Sequence, residues 1–474
     1  MNQNKHKGLA LTLLAVSQLI LALDYTIIFV ALPSIAAALG FTANNLQGVV
    51  SAYSLAYGGF LLIGGRLSDL LGRRRMFIIA MSLFGIGSLL GGLSNSQLML
   101  ISARGLQGLG GALLSPATLS LIISNFEEGA ERNRALGIWA AMGGVGMSLG
   151  LLLGGVLTSY IGWESTLFVN VPIAILVIIL SPIALIEIKT SSNTRHYDIA
   201  GALSITLGMI LIVYYIIQAP VAGWLNSSTV IPGIIGIVLL LLFIVIEKHT
   251  QEPLIPFRLL RIRSLTGAAI TAALFSASFG TLYYFLTLYT QEVLHYSALQ
   301  SGLSFLPLTI SAFLGAKLIN KLAKTIGIAG TIASGMALGV IGFILLTHLS
   351  MSGSAFEMIP GEIIIGIGQA LVFTSMYIAA SSGIDIKEQG MASAIVSTGQ
   401  QIGGAVGLAI IMAIISASLG TNGALETMKT LDIIQAIHMA FKINAVIALI
   451  GIIVSFKALK KRKSISLFTE STAI

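Results

Sequence analysis

The 474-residue chain is 56% hydrophobic and only 9% charged, whereas a water-soluble domain carries roughly a quarter of its residues as charges. The deficit runs along the whole chain, so lipid rather than water is the solvent for most of its surface. There is no cysteine, which excludes disulfides, thiolate metal sites and cysteine nucleophiles, and the meaning of the net charge of +8 depends on where the basic residues fall.

A membrane-crossing helix needs about 20 mostly apolar residues. Runs of this kind predict fourteen spans, at about 9–32, 46–66, 76–93, 97–123, 134–157, 166–186, 198–218, 229–247, 264–290, 299–319, 327–347, 358–381, 390–416 and 438–457. The first follows Lys5 and Lys7 as a signal peptide would. Its length and the many spans after it mark it as a retained helix.

Loop charges set the orientation, because Lys and Arg of short loops stay on the cytoplasmic side. With the N-terminus inside, the inner loops and tail collect all but three of the 26 Lys and Arg residues. The exceptions are Lys429 outside, Lys442 at the outer end of the last span, and Arg104 within span four. Both termini are therefore expected in the cytoplasm, and the positive charge reads as topology, with no nucleic-acid partner. Spans one to six and nine to fourteen form two blocks. Residues 1–187 are expected to make one six-helix bundle, 188–250 an inserted pair, and 251–474 a second six-helix bundle with a cytoplasmic tail. Many secondary transporters are built from two such repeats with a site between them.

In chain order, the first residue of interest is Asp24. An ionisable group in the hydrocarbon is a functional candidate by default. Asp24 lies roughly 24 Å along span one, beside Tyr25. After span two, Gly65-Arg66-Leu67-Ser68-Asp69-Leu70-Leu71-Gly72-Arg73-Arg74-Arg75 forms a basic loop bounded by glycines, which permit tight turns. A weaker echo, Gly315 to Lys321, follows span ten. Span four enters from outside and carries Arg104 roughly 10 Å deep, a depth Asp24 can share, with Gln107 one turn on. Facing one cavity, the two charges would make a device in which Asp24 takes a proton when the pair weakens; a purely structural pair is the alternative. In span five, Gly146, Gly150 and Gly154 recur every four residues, with Gly155 next, a spacing that lets helices approach closely. Gly399, Gly403 and Gly407 repeat it in span thirteen. Both faces are expected either to slide between the halves or to pack statically. Glu292 and Glu362 lie near outer span ends, as substrate-attracting acids or as solvated helix ends. Gln107, Gln400 and Tyr25 are polar candidates for a cavity wall.

The stretch Gly65 to Arg75 resembles the loop signature of the major facilitator superfamily. Leu23-Asp24-Tyr25-Thr26 through Pro33 resembles the first-span signature of its fourteen-span drug:proton antiporters, and Arg104-Gly105-Leu106-Gln107-Gly108 their span-four motif. Later segments are similar too, among them Asp198-Ile199-Ala200-Gly201, Glu252-Pro253-Leu254 and Gly390-Met391-Ala392-Ser393. The resemblance implies an all-α integral membrane protein with the major facilitator fold, two six-helix bundles plus two inserted helices. It implies proton coupling at Asp24 and Arg104, cytoplasmic gating by Gly65, Asp69, Gly72, Arg73 and Arg74, and an exporter motif at Gly146 to Gly155. That motif usually has proline after its middle glycine, where this chain has Leu151. The expected function is proton-coupled export of small, mostly hydrophobic or weakly cationic compounds across the cell membrane, or else coupled transport of one specific metabolite on the same fold. No nucleotide-binding loop, metal cluster or nucleophile constellation is visible. The chain is therefore expected to be no enzyme and to need no cofactor beyond a proton gradient. Its expected partners are a small-molecule substrate, protons and the bilayer, and its expected state is a monomer.

Overall fold

The computed structural model describes residues 6–41, 43–127, 130–186, 199–250, 257–384, 388–419 and 430–459. Their regular structure is helical. First come α1 (Lys7–Leu39), α2 (Ala43–Leu71), α3 (Arg73–Gly92), α4 (Gln97–Asn125), α5 (Ala130–Tyr160), the single turn α6 (Ser165–Phe168) and α7 (Asn170–Ala184). Next are α8 (Ile199–Ala222) and α9 (Ser227–His249). The remainder is α10 (Phe257–Leu260), α11 (Arg263–Phe275), α12 (Thr281–Leu288), α13 (Ala298–Ser304), α14 (Leu306–Ala316), α15 (Ile319–Thr325), α16 (Gly327–Leu346), α17 (Ile359–Ser381), α18 (Gln389–Leu419) and α19 (Thr430–Leu459).

Among the described residues, twelve helices or continuous helical runs are long and apolar enough to cross a bilayer. Shorter apolar stretches, Gly48–Leu61 and Ala200–Ile216, belong to α2 and α8. Span nine is not the uniform helix expected. It is α11 and α12 interrupted by π turns at Ser276–Gly280 and Tyr289–Val293, and span ten breaks at Phe305 into α13 and α14. Several residues that carried the orientation argument, including Lys5, Lys189, Arg195, Lys387 and Lys460 to Lys463, lie outside the described residues.

Two groups of helices pack mainly within themselves. In the first, α1 lies against α5, and α4 lies between α2 and α3. In the second, α11 lies against α18, and α16 lies against α17 and α19. Small residues permit these approaches. A methyl built on Gly146 would fall 2.5 Å from Leu19 O of α1, and one on Gly154 would fall 2.7 Å from Ile27 O. Gly399 stands in the same relation to Ala269 O, at 2.6 Å. These two glycine faces therefore close each half internally rather than slide between halves, which corrects the sliding expectation for Gly146, Gly150 and Gly154. Gly155 is the exception, because it abuts the Ala298 backbone of the other group. Outward-facing Leu and Ile side chains, such as Ile179, Ile183, Ile234 and Leu241, present the hydrocarbon surface that lipid requires. The pair α8 and α9 pack on each other, and α8 also touches both α2 and α18, at the seam of the two groups.

The basic loop is a single-residue turn. Gly72 has φ 97°, a left-handed backbone that favours glycine, and it alone separates α2 from α3. Arg73 Nη1 then donates to Ser120 O of α4 at 3.0 Å, and Arg74 Nη1 to Pro182 O and Leu185 O at the end of α7, at 3.3 and 3.2 Å. Arg74 sits where the unpaired carbonyls and the negative dipole end of α7 gather, whereas Arg73 reaches a carbonyl inside α4 that Ser124 Oγ also bonds. Gly65 is buried on the last turns of α2, and the Asp69 side chain lies outside the described residues. Arg74→Ala is expected to lower stability by about 0.3–1 kcal/mol, read as a small drop in melting temperature of the detergent-solubilised protein. An unchanged melting temperature would rule out this capping role.

Candidate functional site

Asp24 is fully buried in α1, and Arg104, 1% exposed, faces it from α4. Arg104 Nη1 donates to Asp24 Oδ2 at 2.6 Å. Oδ1 of the same carboxylate accepts from Gln107 Nε2 at 2.9 Å and from Asn170 Nδ2 of α7 at 2.8 Å. Gln107 is held in turn, since its Oε1 accepts from Arg104 Nη1 at 2.9 Å and its Nε2 donates to Ser88 Oγ of α3 at 2.7 Å. Arg104 Nε donates to Val49 O of α2 at 3.2 Å, and its guanidinium lies 4.4 Å from the centre of the Tyr53 ring. Five helices thus converge on one ion pair. Burying each ion costs on the order of several kcal/mol, and only a set of hydrogen bonds this complete offsets it. Three N–H donors aim at two oxygens. Together they occupy three of the roughly four lone-pair positions that a carboxylate offers.

Next to this cluster lies a cavity between the two groups of helices. The first group contributes Gln18, Tyr25, Tyr53, Tyr57, Ser115 and Met147, and the second Phe279, Tyr283, Gln369, Phe373, Tyr377 and Gln400, with others. Among the described residues, no Asp, Glu, Lys, Arg or His lines it. Its wall is aromatic faces and neutral amides and hydroxyls. Tyr283 Oη donates to Gln369 Oε1 at 2.9 Å, and Tyr377 Oη to Gln400 Oε1 at 3.2 Å. The π turn Ser276–Gly280 forms part of the wall through Ser276, Phe279 and Gly280, in keeping with the frequent placement of such turns at functional sites. At the end that the loop charges predict to face outward, the two groups meet where Gly155 abuts Ala298, and where a methyl on Gly302 would fall 2.7 Å from Leu151 O. Toward the end predicted to face inward, Trp139 of α5 meets Tyr377 of α17 edge-on at 5.2 Å.

Of the residues singled out in the sequence, Asp24, Arg104 and Gln107 come together in the ion-pair cluster, and Tyr25 and Gln400 line the cavity. Glu292 is exposed at the end of a π turn, away from the cavity lining. Glu362 is not the solvated helix end that its position allowed: it is fully buried and lies outside the lining. Sequence reasoning missed Asn170 and Ser88. The signal for Asn170 was present, as an amide in the apolar run Leu167 to Leu180. Ser88 stood unmarked among the glycines of α3.

Known proteins resemble the chain over most of its length. The pattern of the Major Facilitator Superfamily matches residues 14–408. The chain is 37% identical over 419 residues to the cephamycin export protein CmcT of Amycolatopsis lactamdurans, covering 88% of this chain and 86% of that one. It is 35% identical to the puromycin resistance protein pur8 of Streptomyces alboniger, covering 85% and 80%. It is 32% identical to the multidrug resistance protein Stp of Mycobacterium tuberculosis, covering 88% and 78%. In fold it is similar to the human organic anion transporter MFSD10, with a TM-score of 0.66 at 15% identity over 95% of this chain and 99% of that one. With its helices in two groups, a neutral cavity between them and full-length relatives of this kind, the chain belongs to the major facilitator superfamily of multi-pass membrane transporters.

Proposed function

We propose that this protein is a proton-coupled exporter of small, mostly hydrophobic or weakly cationic compounds of the antibiotic type, working across the cell membrane by alternating access. The halves, residues 1–187 and 251–474, rock about the cavity, with 188–250 inserted as two further spans for fourteen in all and both termini in the cytoplasm. The chain acts as a monomer and draws its energy from the proton gradient alone. Relatives named for cephamycin export, puromycin resistance and multidrug resistance support the direction and the substrate class. An uncharged wall rich in tyrosine and phenylalanine supports neutral, zwitterionic or singly charged guests, since aromatic faces attract a desolvated cation weakly and no carboxylate is there to hold a strong one.

One observation carries the coupling. Tyr53 belongs both to the cavity wall and to the charge cluster, with Arg104 over its ring. A substrate that presses on Tyr53 disturbs the guanidinium, loosens its bond to Asp24, and leaves the carboxylate to take a proton. A proton arriving first neutralises Asp24 and frees Arg104, which shifts Tyr53 against the substrate. The cytoplasmic turn at Gly65, Asp69, Gly72, Arg73 and Arg74 gates the inner side.

In inverted vesicles, an imposed proton gradient is expected to drive uptake of test antibiotics. Uptake that survives a protonophore would overturn the reading. Tyr53→Leu, which stays apolar but removes the ring, is expected to slow gradient-driven transport about thirtyfold, the scale of a desolvated cation–π contact of about 2 kcal/mol. Tyr53→Phe is expected to keep it. Equal rates in the two variants would remove Tyr53 from the mechanism.

A further inference from the structure

Glu362 has 0% exposure, and among the described residues neither Oε1 nor Oε2 has a hydrogen-bond partner. Asp24, equally buried, has three donors. A carboxylate without donors is the costliest common group to bury, whereas the neutral acid is the form such surroundings accept. The charged groups on elements packed against α17 lie elsewhere. Glu131, Arg132 and Arg134 of α5, Arg263 of α11, and Lys321 and Lys324 of α15 are at the cytoplasmic end. At the outer end, Glu357 is already bonded to Ser350 N and Oγ at 2.9 and 3.1 Å. Helices α14, α16 and α18 carry no charged residue.

Position tells what the acid is next to. Gln369 and Phe373 follow Glu362 by seven and eleven residues, so all three share one face of α17, and the latter two line the cavity. Glu362 therefore stands about 10 Å outward of Gln369. There α17 is clamped to α14: Ser311 Oγ donates to Glu362 O at 3.4 Å, and a methyl on Gly366 would fall 2.5 Å from Leu308 O. Helix α14 in turn packs on α5 of the other half, in the outer layer that also holds the contacts of Gly155 with Ala298 and of Gly302 with Leu151.

We propose that Glu362 is a proton-binding site of the closed outer face, separate from Asp24. As the halves close there, its carboxylate takes one proton from external water, forming a neutral O–H and changing no other bond. As they part, the proton returns to water. Closure is then favoured by external acidity. The proposal goes beyond the reading of Asp24 and stands without it.

The chain has no cysteine, so Leu151→Cys, buried against Gly302 in the outer layer, reports closure by its reaction with a membrane-impermeant maleimide. Labelling is expected to fall severalfold as external pH is lowered when Glu362 is present, to persist in that dependence with Glu362→Asp, and to be low and flat with Glu362→Gln. A pH slope in Glu362→Gln equal to that of the parent would overturn the proposal. Infrared spectroscopy of the purified protein supplies a readout free of transport. The carbonyl band of a protonated acid, shifted by deuteration, is expected in the parent at neutral pH, displaced in Glu362→Asp and missing in Glu362→Gln. A parent spectrum without that band would equally overturn it.

Discussion

Export driven by a proton gradient is expected to fall to the level of protein-free vesicles in Asp24→Asn, while gradient-free exchange of substrate persists. The geometry explains the size of the effect. The carboxylate offers two acceptors to three donors, from Arg104, Gln107 and Asn170. The amide offers one acceptor and turns an NH2 toward a donor, so one side of the network opens, and no titrating group remains in the cluster. Arg104→Ala is harsher on the fold. It strands a buried carboxylate with neutral donors only, and breaking a buried pair in this way costs about 3–5 kcal/mol. Arg104→Lys does not restore the wild type, because an ammonium cannot reach Asp24 while also replacing the Nε contact to Val49 O. Counterflow measured beside pH-driven uptake separates loss of coupling from loss of binding. Full gradient-driven export by Asp24→Asn would remove the residue from the coupling scheme.

The second large effect is expected at Gly155. It is a glycine of span five that meets the backbone of the opposite half, with its Cα edge against the Ala298 carbonyl and the backbone of Leu299. A branched side chain there cannot coexist with this contact, and overpacking of a close backbone approach costs about 1–3 kcal/mol or more. Gly155→Ile is expected to hold the outer face open, abolishing transport while leaving the melting temperature nearly unchanged. Gly150→Ile is expected to behave differently. Its side chain would be driven into Leu23 O within the same half, 2.5 Å from the new Cβ, and should unfold that half outright. The comparison separates a conformational block from a packing defect. Normal transport by Gly155→Ile would mean that the outer contact is not remade in each cycle.

What the sequence reveals depends on whether the quantity is axial or azimuthal. Depth follows from counting residues at 1.5 Å each, so residue counting alone places Asp24 and Arg104 at one level. Azimuth between helices does not follow from one chain's periodicity when most faces are apolar, and so Asn170 and Ser88 escape notice although they complete the cluster. Glu362 is misread for a related reason. A residue three positions into a helix is at that helix's end, but not at the protein's surface when α14 and α16 extend past it. The π turns of span nine are illegible because the serines and glycine of Ser276 to Gly280 lower helix propensity without specifying a π turn rather than any other irregularity. Tertiary packing against α18 decides there. The regular spacing of Gly146, Gly150 and Gly154 correctly marks a close approach but not with which partner, whereas Gly155 and Gly143 look across the seam.

The position of α8 has a kinematic consequence. It touches α2 of one half and α18 of the other, and two bodies that rotate apart cannot both carry a third rigidly. At α2 the fit is keyed, because Gly59 leaves room for Ile210, whose Cγ1 would lie 2.6 Å from any added methyl. If the halves rock as proposed, helix α8 is expected to travel with the first half as a fixed rail, and its contact with α18 to be the bearing surface that slips on every stroke.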